Sequence, residues 1–325
     1  SIGTYRSRHT SPVRTISTHL TKSPTTLKRS AMTASSTTPP APEIHRDLVA
    51  NALREDLGTI DIDCDLTATW TIDAHAEDRA RIIAREAGVV AGVEIARAVF
   101  ARLDAGVRFN ALNEDGTAVA AAEDIIHLAG RARALLAGER TALNFLQQLS
   151  GVASLTRRFV AAVEGTQARI TDTRKTTPGW RQLQKWAVTL GGGVNHRMGL
   201  YDAVLIKENH AAAAGGVGAA VARAQRAAAG RDIPIYVETE DLDEVRDALA
   251  AGPDRIMLDN MDNEKMREAV DLIRGADPTI EIEATGGYTL STVRMAAETG
   301  VDLISIGALT HSAPALDMSM LCAGK

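Results

Sequence analysis

Aromatic residues are scarce, at 3% of a 325-residue chain. Alanine and valine must therefore fill much of any interior, because few large rings are available to do so. Cysteine is almost missing: Cys64 and Cys322 stand alone, which excludes a disulfide framework and fits no metal-ligand spacing. With no signal-peptide pattern, two isolated thiols read as reduced and the chain as cytoplasmic. No apolar run approaches the roughly 18–20 residues a membrane helix needs, so no membrane partner is expected. Positive charge is not in excess either. Lys and Arg number 36 against 41 Asp and Glu, a net charge of −5, and nucleic acid is excluded as the main partner because phosphate backbones call for broadly basic faces.

What is present is ordinary for a globular protein: 45% hydrophobic and 24% charged residues, with length for one large domain or two modest ones. Residues 1–42 are different in kind. They are rich in Ser, Thr and Pro, carry Arg6, Arg8, Arg14, Lys22, Lys28 and Arg29, and contain no acid. Such a composition cannot bury a core and reads as a disordered extension outside the fold. Two readings of it stay open: an organellar transit peptide, whose acid-free, Arg- and Ser-rich character it shares, or an extended start ahead of a working initiator at Met32.

From 43 to 150 the pattern is mixed α/β. Residues 44–58 place apolar residues on one helical face and close at Gly58, and 93–103 read as a second helix. Strands are expected at 66–72, 80–86 and 107–112. From 151 to 309 a rhythm sets in, with short apolar runs at 169–173, 203–207, 235–239, 255–259, 280–284 and 303–307 alternating with helical segments. Strand then helix, repeated, predicts a parallel sheet closing into a barrel. Arg174, Lys175, Lys207, Glu238, Asp259, Thr285 and Gly307 fall at the C-terminal ends of these runs, the end where barrel enzymes hold their chemistry.

The residues at those ends suggest two anionic ligands. Between Arg169 and Lys207 stand seven Lys or Arg residues against two acids. Arg174, Arg197 and Lys207 suit carboxylates and phosphates. Glu238 and Asp259, at neighbouring strand ends, suit a hard divalent cation that also holds phosphate oxygens. The glycines of E-A-T-G-G (283–287) and S-I-G-A (305–308) offer backbone N–H groups near helix starts. Each feature has a plainer reading. An Arg on a helix flank is ordinarily a surface ion-pair partner, a single His such as His196 is ordinarily structural, and Gly-Gly is ordinarily a turn. Convergence from separate segments is what favours a site. Lys207, at the end of an apolar strand, is also what a Schiff-base lyase would use. Asp202, Trp180 and Trp186 read as structural, and the role of Asp172 stays open.

The order of the motifs carries a resemblance. G-E-R-T-A-L-N-F-L-Q (138–147), D-T-R-K-T-T-P-G (172–179), G-G-G-V-N-H-R-M-G-L (191–200), V-E-T (237–239), M-L-D-N-M (257–261), E-A-T-G-G (283–287) and S-I-G-A-L-T-H-S (305–312) together resemble the quinolinate phosphoribosyltransferases over nearly everything after about residue 44. The resemblance implies an N-terminal α/β sandwich-like domain over 43–150, with the tail 310–325 packing back on it. It further implies an incomplete, about seven-stranded, TIM-like α/β barrel over 151–309. Phosphoribosyl transfer from 5-phosphoribosyl 1-pyrophosphate (PRPP) to quinolinate with decarboxylation is the implied reaction, in de novo NAD biosynthesis. By the same resemblance quinolinate is held by cations at Arg140, Arg174, His196, Arg197 and Lys207, and Lys175 faces PRPP. Glu238 and Asp259 bind Mg2+, and Thr285, Gly286, Gly287, Gly307 and His311 surround the sugar phosphate. Serine is commoner than threonine at position 285. A homodimer or hexamer with the active site shared between subunits is implied as well. The family usually follows E-D-L-G with G-D-x-T, whereas here E-D-L-G-T-I-D-I-D-C-D-L-T stands instead. A nicotinate phosphoribosyltransferase is the nearest rival, and a nucleotide-binding regulator without catalysis is a further one.

Overall fold

The fold is described from a computed structural model, which covers residue 40 and residues 42–323. The expectations for the N-terminal extension therefore lie outside the described residues, apart from positions 40 and 42. Helix α1 (Pro42–Leu57) opens on a proline, whose missing N–H is no loss in a first turn. It stops at Gly58, which takes φ +76 and donates its N–H to the Arg54 carbonyl. Val49 and Leu53 are its buried anchors, each worth about 1.5–3 kcal/mol of burial.

The stretch 66–72, expected as a strand, is instead the helix α2 (Leu66–Thr71). Capping decides the matter. The Asp65 side chain accepts the Ala68 amide at 3.0 Å, Asp61 does the same for Asp63 at 3.0 Å one turn earlier, and Arg133 binds the Thr69 and Ile72 carbonyls at the far end. With both ends satisfied, the β-propensity of Thr, Trp and Ile is overridden.

Then come β1 (Glu77–Ala84), β2 (Gly88–Val89), α3 (Val93–Leu103), β3 (Arg108–Ala111), β4 (Ala118–Val119) and β5 (Asp124–Arg131). The 31-residue α4 (Ala132–Ala162) leaves β5 without a break and buries Leu135, Leu143, Leu146 and Leu149. The rest alternates: β6 (Arg169–Thr171), α5 (Arg181–Leu190), β7 (Val204–Ile206), α6 (Glu208–Ala214), α7 (Val217–Ala228), β8 (Ile235–Thr239), α8 (Leu242–Ala251), β9 (Arg255–Asp259), α9 (Asn263–Ala276), β10 (Glu281–Thr285), α10 (Val293–Ala297), β11 (Leu303–Ser305), α11 (Ala308–His311) and β12 (Met318–Cys322).

Two main sheets result. An antiparallel one runs β12-β1-β5-β3, so the C-terminal tail supplies an edge strand, with Met320 opposite Ile82. Gln147 of α4 ties that tail down through the Met318 carbonyl at 2.9 Å. The other is parallel, in the order β6-β11-β10-β9-β8-β7. Its central strands are near-continuous apolar runs such as Ile256–Leu258, as expected of strands covered on both faces. Asp241 and Asp262 cap α8 and α9 directly after β8 and β9, so the chain turns quickly and the strand ends stay together. A seventh position is present as a single rung, Val194 against Thr171 on the outer edge of β6. Between that rung and β7 the Arg197 guanidinium reaches across, Nη1 donating to the Ala203 carbonyl at 2.9 Å.

Candidate active site

The strand ends of the parallel sheet carry the acids. Glu238, next to last in β8, accepts Lys207 Nζ at 2.5 Å from the end of β7. Burial holds the Glu238 carboxyl above the ordinary range, Lys207 opposes this, and neighbouring Asp259 and Glu208 add to it. Asp259 closes β9, and its Oδ2 accepts Asn260 Nδ2 at 3.1 Å. Asn260 itself takes φ +54 and donates its amide to the Thr285 carbonyl at 2.9 Å. Sequence reasoning passed over Asn260. The available signal is an Asn directly after a strand, since Asn is among the few side chains that tolerate left-handed backbone.

Cations gather on the β6 and β7 side. Burial pushes the Arg197 guanidinium below its ordinary pKa, and Arg174 beside it pushes further. The Nε atoms of both Arg174 and Arg197 are buried without a hydrogen-bond partner. An unsatisfied buried donor costs about 1–3 kcal/mol, so two of them on neighbouring cations mark a place suited to an anion. His196 lies behind. Its Nδ1 accepts the Arg197 amide at 2.7 Å, its ring meets Tyr236 edge-on at 5.7 Å, and its Nε2 stands 3.6 Å from Glu283. Burial depresses its pKa to about 4. The imidazole is therefore neutral at pH 7 in this structure, with Nδ1 as the acceptor.

A third group forms around Gly307. A Cβ there would stand 3.1 Å from Lys175 Cδ and 3.2 Å from His311 Nε2, so the bare glycine is what lets these two side chains flank one backbone position. Thr310 fixes the arrangement by donating its hydroxyl to the Lys175 carbonyl at 2.8 Å. Gly307 precedes α11 directly, as expected of a glycine near a helix start, but Gly286 and Gly287 do not sit at one. The loop 288–292 separates them from α10, because Gly286, at φ +152, turns the chain over Asn260, whose Oδ1 is 3.0 Å from where a Cβ would be.

Among the described residues, no group of three or more His, Cys, Asp or Glu gathers to hold a metal. Glu238 and Asp259 as a pair still suit Mg2+, which takes one or two carboxylates and completes its shell with phosphate oxygens and water. Arg140 stands apart from the other sets. It is exposed on α4, and its side chain makes no hydrogen bond or ion pair among the described residues. A cleft of about 1080 Å3 also lies away from the strand ends, lined by Arg79, Arg81, Arg108, His127 and the neighbouring Glu139.

A parallel α/β barrel whose strand ends carry paired carboxylates, paired guanidiniums and a lysine-flanked glycine defines an enzyme of small, multiply anionic substrates. Family models agree on which. Residues 65–150 match the N-terminal domain of quinolinate phosphoribosyl transferase and residues 152–321 its C-terminal domain, and the chain belongs to that family. It is 44% identical over 268 residues to a probable nicotinate-nucleotide pyrophosphorylase [carboxylating] of Synechocystis sp., covering 82% of this chain and 89% of that one. It is 40% identical over 292 residues to a mitochondrial quinolinate phosphoribosyltransferase [decarboxylating] 2 of Nicotiana glauca, covering 85% and 81%. The solved nicotinate-nucleotide pyrophosphorylase of Francisella tularensis superposes with a TM-score of 0.82 at 38% identity, covering 88% and 98%. Human nicotinic acid phosphoribosyltransferase shares the fold alone, at 12% identity and a TM-score of 0.55.

Proposed function

We infer that this chain joins quinolinate to PRPP, releasing pyrophosphate and CO2 and leaving nicotinate mononucleotide. The observation that carries this is the pair of buried, unpartnered Nε atoms on Arg174 and Arg197. One carboxylate satisfies one guanidinium fork. Two forks with Lys207 nearby call for a dicarboxylate, where nicotinate would leave a buried cation unpaired.

On this reading the protein's work is positioning and electrostatics. Arg174, Arg197 and Lys207 hold the two carboxylates, and neutral His196 fixes the Arg197 amide. Glu238 and Asp259 would hold Mg2+, which when bound offsets the charge of the pyrophosphate. Lys175, His311 and the Gly307 amide receive the phosphates. The pyridine nitrogen then bonds to the ribosyl C1 as the C1–O bond to pyrophosphate breaks, the bond pair leaving with pyrophosphate. The ring nitrogen becomes positive, so the C2–carboxylate bond can break with its pair held on C2, which then takes up a proton. No protein nucleophile enters. Lys207 Nζ is paired with Glu238 and on this reading serves as a hydrogen-bond donor to substrate.

We infer also that Arg140, whose side chain has no hydrogen-bond or ion-pair partner among the described residues of its own chain, completes the site of a neighbouring subunit in a homodimer or hexamer. Among the described residues no helix is long and apolar enough to cross a membrane. The cytoplasm is the proposed location, and fractionation of cells expressing the whole chain separates this from an organelle. The deciding assay for function offers quinolinate or nicotinate, each with PRPP and Mg2+, and follows pyrophosphate and CO2. Equal release of both from quinolinate alone is expected. Pyrophosphate from nicotinate with no reaction of quinolinate would overturn the reading.

A further inference from the structure

Below the mouth, segment 194–197 is held by side chains where a barrel ordinarily uses a strand. Its backbone makes one rung only: Val194 donates to the Ile170 carbonyl at 2.8 Å, and its own carbonyl accepts the Asp172 amide at 3.3 Å. Past that rung the ladder stops and Asp172 takes over. Its Oδ1 accepts the His196 amide at 2.9 Å. Lys185 Nζ, arriving from α5, pairs with the same Oδ1 and donates to the His196 carbonyl at 3.0 Å. With its amide turned to satisfy both neighbours, Asn195 Nδ2 donates to Asp172 Oδ2 at 2.6 Å and to the Lys185 carbonyl at 2.9 Å.

Asp172 and Lys185 are both fully buried. A buried ion pair is a poor stabilising device, since well-packed apolar residues of similar volume ordinarily serve as well or better. This one sits among Leu183, Trp186 and Ala187, all buried. Its geometry shows another use. The His196 N–H and C=O belong to the two peptide groups on either side of that residue, and the pair binds both. Arg197 follows immediately, its amide on His196 Nδ1, its Nη1 on the Ala203 carbonyl, and its Nε facing no partner.

We propose that Asp172 and Lys185 are positioning residues for the anion pocket: they clamp the peptide groups on both sides of His196 and so aim the Arg197 guanidinium at the place it shares with Arg174. The catalytic consequence rests on reading that pocket as the quinolinate subsite. Neither residue touches substrate in this assignment. The effect is confined to one of two ligands, which a general loss of stability would not produce.

The test compares two double variants that leave no lone buried charge, D172N/K185M and D172N/K185Q. They differ in whether a donor can reach the His196 carbonyl. Calorimetric titration with quinolinate should show about a tenfold or greater loss of affinity in D172N/K185M and recovery to within about threefold of wild type in D172N/K185Q, with PRPP affinity within about twofold throughout. Unchanged quinolinate affinity, equal loss in both double variants, or parallel loss of both ligands would each overturn the proposal. Hydrogen exchange on the ligand-free wild-type protein judges the clamp even if neither variant folds. The His196 amide should exchange as slowly as the barrel core, and exchange as fast as at exposed Leu200 and Tyr201 would reject the clamp. If wild-type protein bound no quinolinate, the reading of the subsite would fall, and the exchange measurement would still judge the clamp.

Discussion

The barrel holds two sets of charges that look alike in sequence and differ in company. In the lower set every cation has its counter-charge. Arg255 binds Glu283 at 2.7 Å and Glu281 at 2.9 Å, with its guanidinium 4.2 Å from the Tyr236 ring centre, and Lys185 binds Asp172 and a carbonyl. At the mouth, Arg174 and Arg197 keep unpartnered Nε atoms, and Lys175 is exposed. Buried charges that the chain satisfies itself hold the chain, whereas buried donors it leaves unsatisfied await something the chain does not contain; Lys207 and Glu238, paired but partly exposed at the mouth, stand between the two.

The sharpest way to break that comparison is at the acids. Glu238→Ala and Asp259→Ala should each lower kcat by about 100-fold or more, because the residues proposed to hold Mg2+ on pyrophosphate are lost. Turnover measured across Mg2+ concentrations checks this, and an unaltered Mg2+ dependence in both variants would end the assignment.

Arg140 poses the comparison across chains. Arg140→Ala and Lys175→Ala should each be inactive alone. If sites are shared between two subunits, a mixed dimer has one site with both lesions and one with neither, so subunit exchange should restore up to about half of wild-type activity. No recovery, with exchange confirmed by a tagged subunit, would place Arg140 in its own chain's site.

Smaller effects should separate the two sets directly. Arg255→Ala strands buried Glu283 and should cost about 3–5 kcal/mol of stability. Arg174→Ala and Arg197→Ala should cost little stability but weaken quinolinate binding by about 10- to 100-fold, more than PRPP binding. Denaturant melts beside ligand titrations decide it, and equal destabilisation by Arg174→Ala and Arg255→Ala would erase the distinction.

The barrel was legible because its strands are covered on both faces and so read as continuous apolar runs, such as 255–259, ending in a polar residue. The helix at 66–71 was not, because two aspartate caps and a distant Arg133 outrank local β-propensity. The charge of His196 was hidden for a similar reason, since burial sets it and burial is a property of the fold. Asp172 and Lys185 lie thirteen residues apart with nothing to mark them as a pair. Only the stop of the ladder after Val194 gives them a role. Asn260 was overlooked because an Asn after a strand is a weak mark by itself, and only the fold shows its left-handed backbone.

The hidden charge of His196 yields a pH test. Its pKa is about 4 in the fold against about 6.5 unfolded, so below 6.5 the unfolded chain takes a proton that the folded one refuses. Stability from the neutral imidazole is full above pH 6.5 and is lost as pH falls toward 4, by about 1.4 kcal/mol per unit at most. Asp115 and Asp172, raised to about 6 mainly by burial, work in the other direction and lose stability as pH rises from 3.8 to 6. Urea midpoints of wild type and His196→Gln from pH 7.5 to 4.5 isolate the histidine. The wild type should lose ground to the variant as pH falls, and a constant gap would mean that the fold leaves the imidazole pKa where it is in the unfolded chain.

The smallest effect is expected at Thr285, where a methyl and a hydroxyl can be tested apart. Thr285 ends β10 in register with Asp259, beside the carboxylates proposed to hold Mg2+, and its hydroxyl is the group a sugar phosphate can use. Thr285→Ser keeps the hydroxyl and removes one methyl from a partly exposed position, so PRPP affinity should stay within about twofold. Thr285→Val keeps the shape and removes the hydroxyl, and should lose about tenfold, the value of one hydrogen bond to a charged oxygen. PRPP titration of the two variants separates shape from chemistry. If valine binds PRPP as well as serine does, the hydroxyl makes no contact with it, and the sugar phosphate is held by Lys175, His311 and the backbone at Gly307 alone.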